Sequence, residues 1–572
     1  MMTLKIKPFN TKIPLSLIAL LVPLWLSGLV PFFVGCAQAE KGKTIVLYHT
    51  SDIHGYIAKR EAKYFKKDPT RQVGGFAALK NLLVREKRPY ILLDSGDMFA
   101  AGAPEGSITR GESLVTLMNH LGYSAAAIGN HEFDFGERTL YRFADKAEFP
   151  LLAANIKFRH PIKVKEEDKE DGEKDADKKQ DEEKGEGEEG EEKEIKKIIK
   201  TVPDYVTAYT IKEIDNIKIG IFGLITQQTA YITAPKNVRR LKFLSPTIHA
   251  KNMVKKLREE EGCSLVIALT HIGWQDEDDK PFDDDKHIAK KVPGIDVILG
   301  GHSHTFLKTA FQDPDTKTII IHSGEYLSAV GRLELVLAQP KQVQGRTVQK
   351  VSGFTHELKD LWIDEVGEDA KTLSIVEKYK KQVDKKLSKV IGRALDDFLP
   401  NELEESTLGN LITDSFRDWA KADIAFHNSG GIRNKILKGE ITLRHNFSVS
   451  PFPNTLVTMK LTGSQILEIL EKTVSTPHGI MQVSGLKYTY DPKRPKERRV
   501  TRVIAGNQPI ARTKSYLVAT NSFLAQGGDG YKTFKFGVNI KNSGVSTRSI
   551  VAKYITKKSP ISPKKENRIS TK

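Results

Sequence analysis

The chain has 572 residues, of which 39% are hydrophobic, so it is long enough for roughly three or four domains and apolar enough to fold them. Its mean hydropathy of -0.37 argues against a polytopic membrane protein. Two cysteines, Cys36 and Cys263, provide no disulfide framework. The formal net charge of +17 comes from scattered Lys and Arg without an aromatic-interleaved basic stripe, so no nucleic-acid partner is expected.

The N-terminus has the layout of an export signal, because a lysine-containing start precedes an almost wholly apolar run at 13–34. Two cleavage sites compete. The small-x-small sequence at 37–39 predicts a soluble secreted product, whereas the sequence at 33–36 resembles a lipoprotein box and predicts a lipidated Cys36 that attaches the protein to a membrane. An uncleaved anchor is the third alternative, since the run is long enough to span a bilayer. All three make 1–39 a targeting segment and predict a periplasmic or cell-surface protein.

From Thr44 onward the chain has the pattern of an α/β protein. Short apolar, β-branched runs are typical of buried strands. They lie at 44–48, 90–94, 217–222, 265–269, 297–299 and 318–321. Between them, the stretches 75–85 and 246–260 carry apolar residues at helical spacing and predict amphipathic helices. A first α/β domain is therefore expected at 40–345.

One segment inside this domain departs from the pattern. From about residue 163 to 197 the chain consists almost entirely of Glu, Lys, Asp and Gly. Such a segment has too few apolar side chains to offset the entropy of ordering it. The composition predicts a disordered, charged insertion at 160–200.

A change of composition near 340–365 marks a domain boundary, and the polar stretch 366–389 predicts a helix that links two domains. A second α/β domain is expected at 390–556. Its predicted elements are helices at 407–419 and 463–472, strands near 422–426 and 515–520, and glycine-rich turns at 429–431 and 527–530. The basic, Pro- and Ser-containing stretch 557–572 predicts a disordered tail.

Five short polar segments carry residue types that bind metals, and all but one directly follow a predicted strand. They are Thr50-Ser-Asp-Ile-His54, Ser95-Gly-Asp97, Gly129-Asn-His-Glu-Phe-Asp134, Thr270-His271 and Gly301-His-Ser-His304. Sites in open α/β sheets form at the carboxyl ends of strands, so these segments can converge on one point. Asp-x-His and His-x-His pairs on extended backbone point to one side, so each pair could offer two ligands to one centre.

These segments predict a centre with two divalent ions. The candidate ligands are Asp52, His54, Asp97, Asn130, His271, His302 and His304. Carboxylate, imidazole and amide ligands together suit Zn, Mn, Fe or Co better than Ca or Mg. One four-coordinate zinc would not need so many ligands, which implies two ions with Asp97 as the best candidate for a bridge. Two ions about 3.5–4 Å apart are the usual arrangement for in-line displacement at phosphorus.

In this order, the motifs Asp-x-His, Gly-Asp, Gly-Asn-His-Glu, Thr-His and Gly-His-x-His resemble those of the calcineurin-like metallophosphoesterase superfamily. The longer motif at 129–136 and the second domain narrow the resemblance to the 5'-nucleotidase family, over about 44–160, 200–340 and 389–540. It implies a four-layered α/β sandwich with the metal site, an interdomain helix and a smaller C-terminal α/β domain that binds the substrate. Family members vary at the position of His304 and carry ligands at the other matching positions.

The resemblance also implies a catalytic dyad. His131 follows the predicted ligand Asn130, and Asp134 comes three residues later. In the family, the matching Asp orients and charges the imidazole, which stabilises the transition state. A carboxylate raises the pKa of a nearby histidine, so this division of roles is physically sensible.

A second group of residues, in the C-terminal domain, suits a nucleotide. The turn at 428–433 has glycines that let the backbone approach a ligand, and its arginine offers a forked donor to phosphate. Two phenylalanines beside turns can sandwich a base, and an aspartate can accept hydrogen bonds from ribose hydroxyls. In similar 5'-nucleotidases the matching residues bind base, ribose and phosphate. The predicted substrate-binding residues are Asn428, Gly430, Gly431, Arg433, Phe452, Phe523 and Asp529.

One departure leaves the substrate open. Nucleotidases usually carry another phosphate-binding arginine just before the Gly-Asn of the first C-terminal helix, whereas 401–410 has glutamates and no arginine. Hydrolysis of nucleoside 5'-monophosphates or related nucleotides is the leading hypothesis. The alternatives are a 2',3'-cyclic-nucleotide 2'-phosphodiesterase with 3'-nucleotidase activity, a nucleotide-sugar hydrolase, a sulfur-ester hydrolase, and a non-catalytic envelope binding protein.

Overall fold

The protein is represented by a computed structural model that describes residues 43–62, 65, 67–99, 101–160, 162–164, 198–274, 283–343, 346–475 and 479–572. The predicted export signal with Cys36, and residues 165–197 of the predicted insertion, lie outside the described residues. None of the helices in the described ranges is long and apolar enough to cross a membrane.

Two six-stranded sheets form the first domain. Both have parallel central strands; the first has antiparallel strands toward one edge, and the second at both edges. In spatial order, the first sheet contains Val351–Asp360, Ala329–Leu337, Thr44–Thr50, Tyr90–Asp94, Ala125–Ala127 and Leu151–Leu152. The second contains Tyr209–Ile214, Ile217–Ile225, Leu265–His271, Val297–Gly300, Ile319–His322 and Phe311–Gln312. The central strands are near-continuous apolar runs because both of their faces are buried.

The two sheets pack face to face through their aliphatic side chains, with Leu47 and Leu93 in the same core as Ile267 and Leu299. Helices Phe76–Leu83, Glu112–Leu121 and Glu137–Lys146 cover the outer face of the first sheet. Helices Pro246–Lys255 and Asp285–Lys291 cover the second. The order helix, sheet, sheet, helix confirms the predicted four-layered α/β sandwich.

Short elements connect these layers. The short helices are Pro104–Ile108, Thr229–Ile232, Pro235–Val238 and Ile363–Val366. The two-stranded pairs are Arg60–Glu61 with Gln72–Val73, Ile156–Phe158 with Leu241–Phe243, Ile162–Val164 with Ile198–Lys200, and Lys341–Val343 with Arg346–Val348. The predicted disorder at 160–200 therefore does not hold at the two ends of the insertion, where the chain pairs with itself.

The first domain extends beyond residue 345, the boundary predicted from the sequence. Strand Val351–Asp360 pairs antiparallel with Ala329–Leu337 at the edge of the first sheet. No residue of the outer strand is fully buried, so its polar composition resembles that of a linker. The helix that follows spans Ala370–Leu387, and Asp369 caps it by accepting a hydrogen bond from Thr372 N at 2.7 Å.

The C-terminal domain is built around a five-stranded sheet covered on both faces. In spatial order its strands are Met481–Ser484, Ile424–Asn428, Ser515–Asn521, Thr455–Thr462 and Val538–Ser546. A smaller sheet contains Gln508–Pro509, Val500–Ala505, Leu486–Tyr490 and Ile569–Thr571, and Val390–Ala394 pairs with Gly439–Thr442. The helices are Thr407–Ala420, Leu443–Val449, Gly463–Thr473, Ser522–Ala525 and Thr547–Lys558. Both predicted glycine-rich turns follow a strand of the five-stranded sheet.

The prediction of a disordered tail at 557–572 is wrong. Strand Ile569–Thr571 pairs with Leu486–Tyr490, and Arg568 is buried. Its guanidinium lies 2.8 Å from the Asp414 carboxylate and donates to the Val483 carbonyl at 2.9 Å. Composition alone could not predict this order, because Asp414 and Val483, which contact Arg568, are far away in the chain.

Candidate metal centre and substrate cleft

The candidate ligands of the first domain meet where the parallel strands of both sheets end. Thr50 pairs with Asp94 at the last position of two neighbouring strands of the first sheet. In the second sheet, Thr270 pairs with Gly300, one residue before one strand ends and at the last residue of the other. The loops that follow these strands carry the polar motifs. The topology therefore brings residues from five separate segments to one edge of the sandwich.

Two clusters of ligand-type side chains lie at this edge. The first contains Asp52, His54 and His304, with the two imidazole Nε2 atoms 3.0 Å apart and Asp52 Oδ1 3.5 Å from His304 Nε2. The second contains Asp97, His271 and His302, with His271 Nε2 3.0 Å from Asp97 Oδ2. In each cluster the ligand-type atoms lie within 4.8 Å of one another.

Asp97 lies between the two clusters. Its Oδ2 is 3.0 Å from His271 Nε2 in the second cluster and 3.8 Å from His54 Nε2 in the first. Burial raises the pKa of the Asp97 carboxyl, but the neighbouring His271 and His131 outweigh burial and lower that pKa well below its ordinary value. Asp97 is therefore an anion that lies within reach of both candidate clusters.

The chemistry of the donor set fits divalent ions. The Asn130 amide oxygen is buried and accepts no hydrogen bond from any described residue, as expected of an atom that faces a cation. His271 Nδ1 lies 2.7 Å from the Ser95 carbonyl oxygen, which can only accept, so Nδ1 carries a proton and Nε2 is the ring nitrogen that could bind a metal. Burial lowers the pKa of His271, but the Asp97 carboxylate outweighs it and raises that pKa to about 10, so a metal would displace the Nε2 proton. Burial lowers the pKa of His54 well below its ordinary value and that of His302 to about 3, which leaves both imidazoles neutral, as ligation requires.

The backbone at the predicted ligands is left-handed and not extended, as the spacing argument assumed. Asp52, His54 and Asp97 have φ of 52°, 49° and 56°, and His302 and His304 have φ of 80° and 54°. Asp52 and His54 nevertheless belong to one cluster, whereas His302 and His304 belong to different clusters. Such conformations cost about 1–3 kcal/mol each and persist where the surrounding structure enforces them, typically at functional sites.

Glu132 lies in the motif at 129–134, but it is not among the site residues predicted from the sequence. Its buried carboxyl group accepts hydrogen bonds from the backbone N–H groups of Asp97, Met98 and Gly129, at 2.9, 2.7 and 2.6 Å. Burial, assisted by the charge of Asp97, raises the pKa of Glu132 to about 7. Glu132 therefore joins the Asp97 loop to the loop that carries Asn130.

Two further residues support the site without any motif to reveal them. The Glu325 carboxylate forms an ion pair with His304 Nδ1 and so orients that ring. In the C-terminal domain, the Arg548 guanidinium donates to the Phe452 carbonyl at 2.9 Å and to the Ser450 carbonyl at 3.2 Å. These contacts hold the loop that presents the Phe452 ring.

The predicted dyad residues are in contact. The turn His131–Phe133 brings His131 Nδ1 to 2.9 Å from Asp134 Oδ2. Burial lowers the pKa of His131, but the carboxylates of Asp134 and Asp97 outweigh it, so that pKa lies above its ordinary value. The His131 backbone N–H also donates to Asp97 Oδ1 at 2.8 Å, which ties the dyad to the metal centre.

One cleft of about 1330 Å³ lies between the two domains. Residues of the metal centre and dyad line one side, and all the predicted substrate-binding residues line the other. From the first domain these are Asp97, Asn130, His131, Asp134, His302 and His304, and from the second Asn428, Gly430, Gly431, Arg433, Phe452, Phe523 and Asp529. The cleft therefore has candidate metal ligands on one side and candidate substrate-binding residues on the other.

The substrate-binding side is ordered by its own contacts. Asn428 Nδ2 donates to Asp529 Oδ2 at 3.0 Å, and Asn521 Nδ2 donates to Asn428 Oδ1 at 3.0 Å. Phe523 packs on Gly528, where a Cβ would come within 2.5 Å of the ring. Burial raises the pKa of Asp529 to about 7.

Arg433 faces the first domain. Burial lowers the pKa of its guanidinium, but the charges of Tyr326, Glu325 and Asp97 outweigh it and raise the pKa above its ordinary value. Glu402, from the segment that lacks the expected arginine, also lines the cleft, together with Lys496 and Arg499. Glu402 and Arg433 thus line the same cleft, and the Glu402 charge also contributes to the raised pKa of Arg433.

Comparison with known proteins agrees with this geometry. A family model described as calcineurin-like phosphoesterase matches residues 45–306, and one described as 5'-nucleotidase, C-terminal domain, matches 390–536. The chain is 30% identical over 560 residues to the trifunctional nucleotide phosphoesterase protein YfkN of Bacillus subtilis, covering 92% of this chain but 35% of that protein. It is 26% identical over 583 residues to a 5'-nucleotidase of Vibrio cholerae, covering 94% of this chain and 95% of the relative.

The crystal structure of a 5'-nucleotidase precursor from Thermus thermophilus matches with a TM-score of 0.75 and 28% identity, over 92% of this chain and 99% of that one. The match extends over both domains, as the two family models together do. The chain belongs to the 5'-nucleotidase family, and it is a metal-dependent phosphoester hydrolase with a calcineurin-like phosphoesterase domain and a 5'-nucleotidase C-terminal domain.

Proposed function

We propose that this protein hydrolyses nucleoside 5'-monophosphates or closely related nucleotides to nucleoside and phosphate. The observation that carries the proposal is the single cleft of about 1330 Å³ lined by both metal-binding and nucleotide-binding side chains. A nucleotide whose phosphate lies beside the candidate metal ligands would have its base at the opposite side of the cleft. Small phosphate esters without a base would use only half of this surface.

The substrate-binding residues divide the nucleotide among them. Phe452 and Phe523 would stack on the base, and the Asp529 carboxylate would accept hydrogen bonds from the ribose hydroxyls. Arg433 would hold the phosphate, because its charge interacts with that of Asp97 and it therefore lies near the metal centre.

Two divalent ions complete the proposed site. Asp52, His54 and His304 would hold one ion, Asp97, His271 and His302 the other, and Asn130 would add its amide oxygen. When bound, such ions lower the pKa of water and neutralise charge on the phosphoryl group.

His131 would donate a hydrogen bond to the charge that develops during the reaction. Its raised pKa favours the imidazolium form, and Asp134 occupies Nδ1, which leaves Nε2 for the substrate. Asp134 holds the ring in place and stabilises its positive charge.

A second candidate function is hydrolysis of 2',3'-cyclic or 3'-nucleotides. Glu402 lines the cleft and the segment 401–410 contains no arginine, which weakens the case for a substrate with several phosphates at its 5' end. The relative named a trifunctional nucleotide phosphoesterase also supports a range wider than one nucleotide.

The proposal places the reaction outside the cytoplasm, on the basis of the apolar N-terminal segment and its two cleavage sites. The mass of the mature N-terminus tests this point. A start at Glu40 supports a secreted product, and a diacylated Cys36 supports a lipoprotein. An unprocessed Met1 in the native host would remove both.

A phosphate-release panel tests the activity. The purified protein is assayed with AMP, 3'-AMP, 2',3'-cyclic AMP, ATP and UDP-glucose, each with Mn, Co or Zn and with chelator. We expect AMP to have the highest kcat/KM, with no release in chelator. A higher kcat/KM for 2',3'-cyclic AMP would favour the second candidate, and turnover of none of these compounds would exclude both.

A further inference from the structure

A second cavity, of about 780 Å³, opens beside the substrate cleft. Gln526 and Asp529 line both spaces, so the two adjoin at Asp529, which is proposed to hold the ribose. The short helix Thr229–Ile232 of the first domain contacts the turn Gly528–Gly530 here. The cavity therefore lies at the junction of the two domains.

The lining of this cavity is strongly basic. Arg159 and Arg239 come from the first domain, and Lys472, Lys532 and Lys535 come from the second. None of the five forms an ion pair with another residue in the described ranges, and Asp529 is the one carboxylic acid in the lining. Five cations around one concave space raise the local concentration of anions.

The backbone supports the placement of these lysines. A Cβ at Gly530 would come within 3.2 Å of Lys472 Nζ, and one at Gly527 within 3.2 Å of Lys535 Cδ. The glycine-rich turn thus lets the two lysine side chains lie directly against the backbone that carries Asp529. A substituent on a ribose held by Asp529 would enter the space that these lysines border.

We propose that this basic cavity binds a phosphoryl group, carried on the ribose 3' oxygen of a nucleotide whose 5'-phosphate lies at the metal centre. The inference rests on the proposed function for the placement of the nucleotide. The substrate class is the nucleoside 3',5'-bisphosphates. Water attacks the 5'-phosphorus and the bond to the 5' oxygen breaks, which releases inorganic phosphate and a nucleoside 3'-phosphate.

Kinetics with adenosine 3',5'-bisphosphate and AMP test the proposal. In the wild-type holoenzyme we expect the KM for the bisphosphate to be about threefold or more below that for AMP, as one or two added ion pairs would give. The double variant Lys532→Ala/Lys535→Ala should remove this difference and leave kcat/KM for AMP within about twofold, because neither lysine faces the metal centre. A variant with Lys541→Ala/Lys553→Ala removes the same charge from exposed positions outside the cavity and should retain the difference.

Binding measured by calorimetry in chelator separates this inference from the proposed function. Bisphosphate binding that depends on Lys532 and Lys535 supports the cavity even if AMP is never hydrolysed. Hydrolysis of AMP without any preference for the bisphosphate, in both kinetics and calorimetry, overturns the cavity and leaves the function intact. Inorganic phosphate is titrated alone as a second arm: binding that the double variant weakens supports a phosphoryl site in the cavity, but without a gain for the bisphosphate the proposed substrate class is still overturned.

Discussion

The imidazole ring of His131 lies against the phenyl ring of Phe452, with centroids 5.8 Å apart and planes inclined by 35°. His131 belongs to the phosphoesterase domain and Phe452 to the C-terminal domain. The dyad and one of the two proposed base-stacking rings are therefore in direct contact across the cleft. Arg548 donates to the carbonyl groups of Ser450 and Phe452 and so supports the loop that makes this contact.

This contact distinguishes the two phenylalanines. Phe523→Ala should lower kcat/KM for AMP by the equivalent of about 1–3 kcal/mol, because stacking on the base is lost. Hydrolysis of p-nitrophenyl phosphate should be unchanged. Phe452→Ala should impair both substrates, because it removes the stacking surface and the neighbour of His131. Steady-state kinetics on the two substrates measure this. Equal losses on both substrates in Phe523→Ala would remove the base-stacking role.

The dyad predicts a loss of rate with little loss of binding. His131→Ala should lower kcat about 100-fold to 10,000-fold, and Asp134→Asn should lower it by less, because the imidazole remains without its charged partner. His249→Ala is a matched control, since His249 bonds the Ser245 carbonyl on a helix outside the cleft. Full activity of His131→Ala would break the assignment.

Binding of the ribose should depend on pH near neutrality. The Asp529 carboxyl has a pKa of about 7, raised by burial, so it is ionised above that pH and protonated below it. Only the ionised form offers all its oxygen lone pairs to ribose hydroxyls. The KM for AMP should therefore rise as the pH falls through about 7, and Asp529→Asn should flatten that rise. The second ionisation of the AMP phosphate, at about pH 6, affects the wild-type enzyme and Asp529→Asn equally. It therefore does not contribute to the difference between their KM profiles. Identical pH profiles for KM would contradict the role of Asp529.

Glu132 predicts a stability effect at the metal centre. Glu132→Gln keeps the shape but turns an NH₂ group toward a backbone N–H, which leaves a buried donor without a partner. The expected cost is about 1–3 kcal/mol of unfolding free energy, together with weaker metal binding. Thermal unfolding with and without Mn shows both effects. Glu325→Gln is an informative companion, because it should weaken metal binding through His304 with a smaller change in stability.

The positions of the metal-ligand motifs could be predicted because all but one follow a short, β-branched apolar run that is typical of a buried strand. Asp97 after 90–94 and His271 after 265–269 illustrate this. The division of ligands between the two clusters could not be predicted, since the Asp-x-His and His-x-His motifs have the same spacing, yet Asp52 and His54 share one cluster and His302 and His304 do not.

Residues that act through distant partners were also beyond reach of the sequence. Arg568 looked like part of a solvated basic tail, and its order depends on Asp414, far away in the chain. Glu325 lies outside every motif and becomes part of the site only because its loop folds over His304. The basic cavity likewise combines five residues from four segments, none of which stands out by composition.

The most direct test of the account is a metal titration of AMP hydrolysis. The protein is stripped with chelator, and Mn is added back while bound metal and phosphate release are measured together. A two-ion centre predicts no phosphate release from the stripped protein and a rise to full activity at two ions per chain. Asp97→Asn should fail to reach that plateau. Full activity without metal, or no phosphate release from AMP at any metal loading, would contradict it.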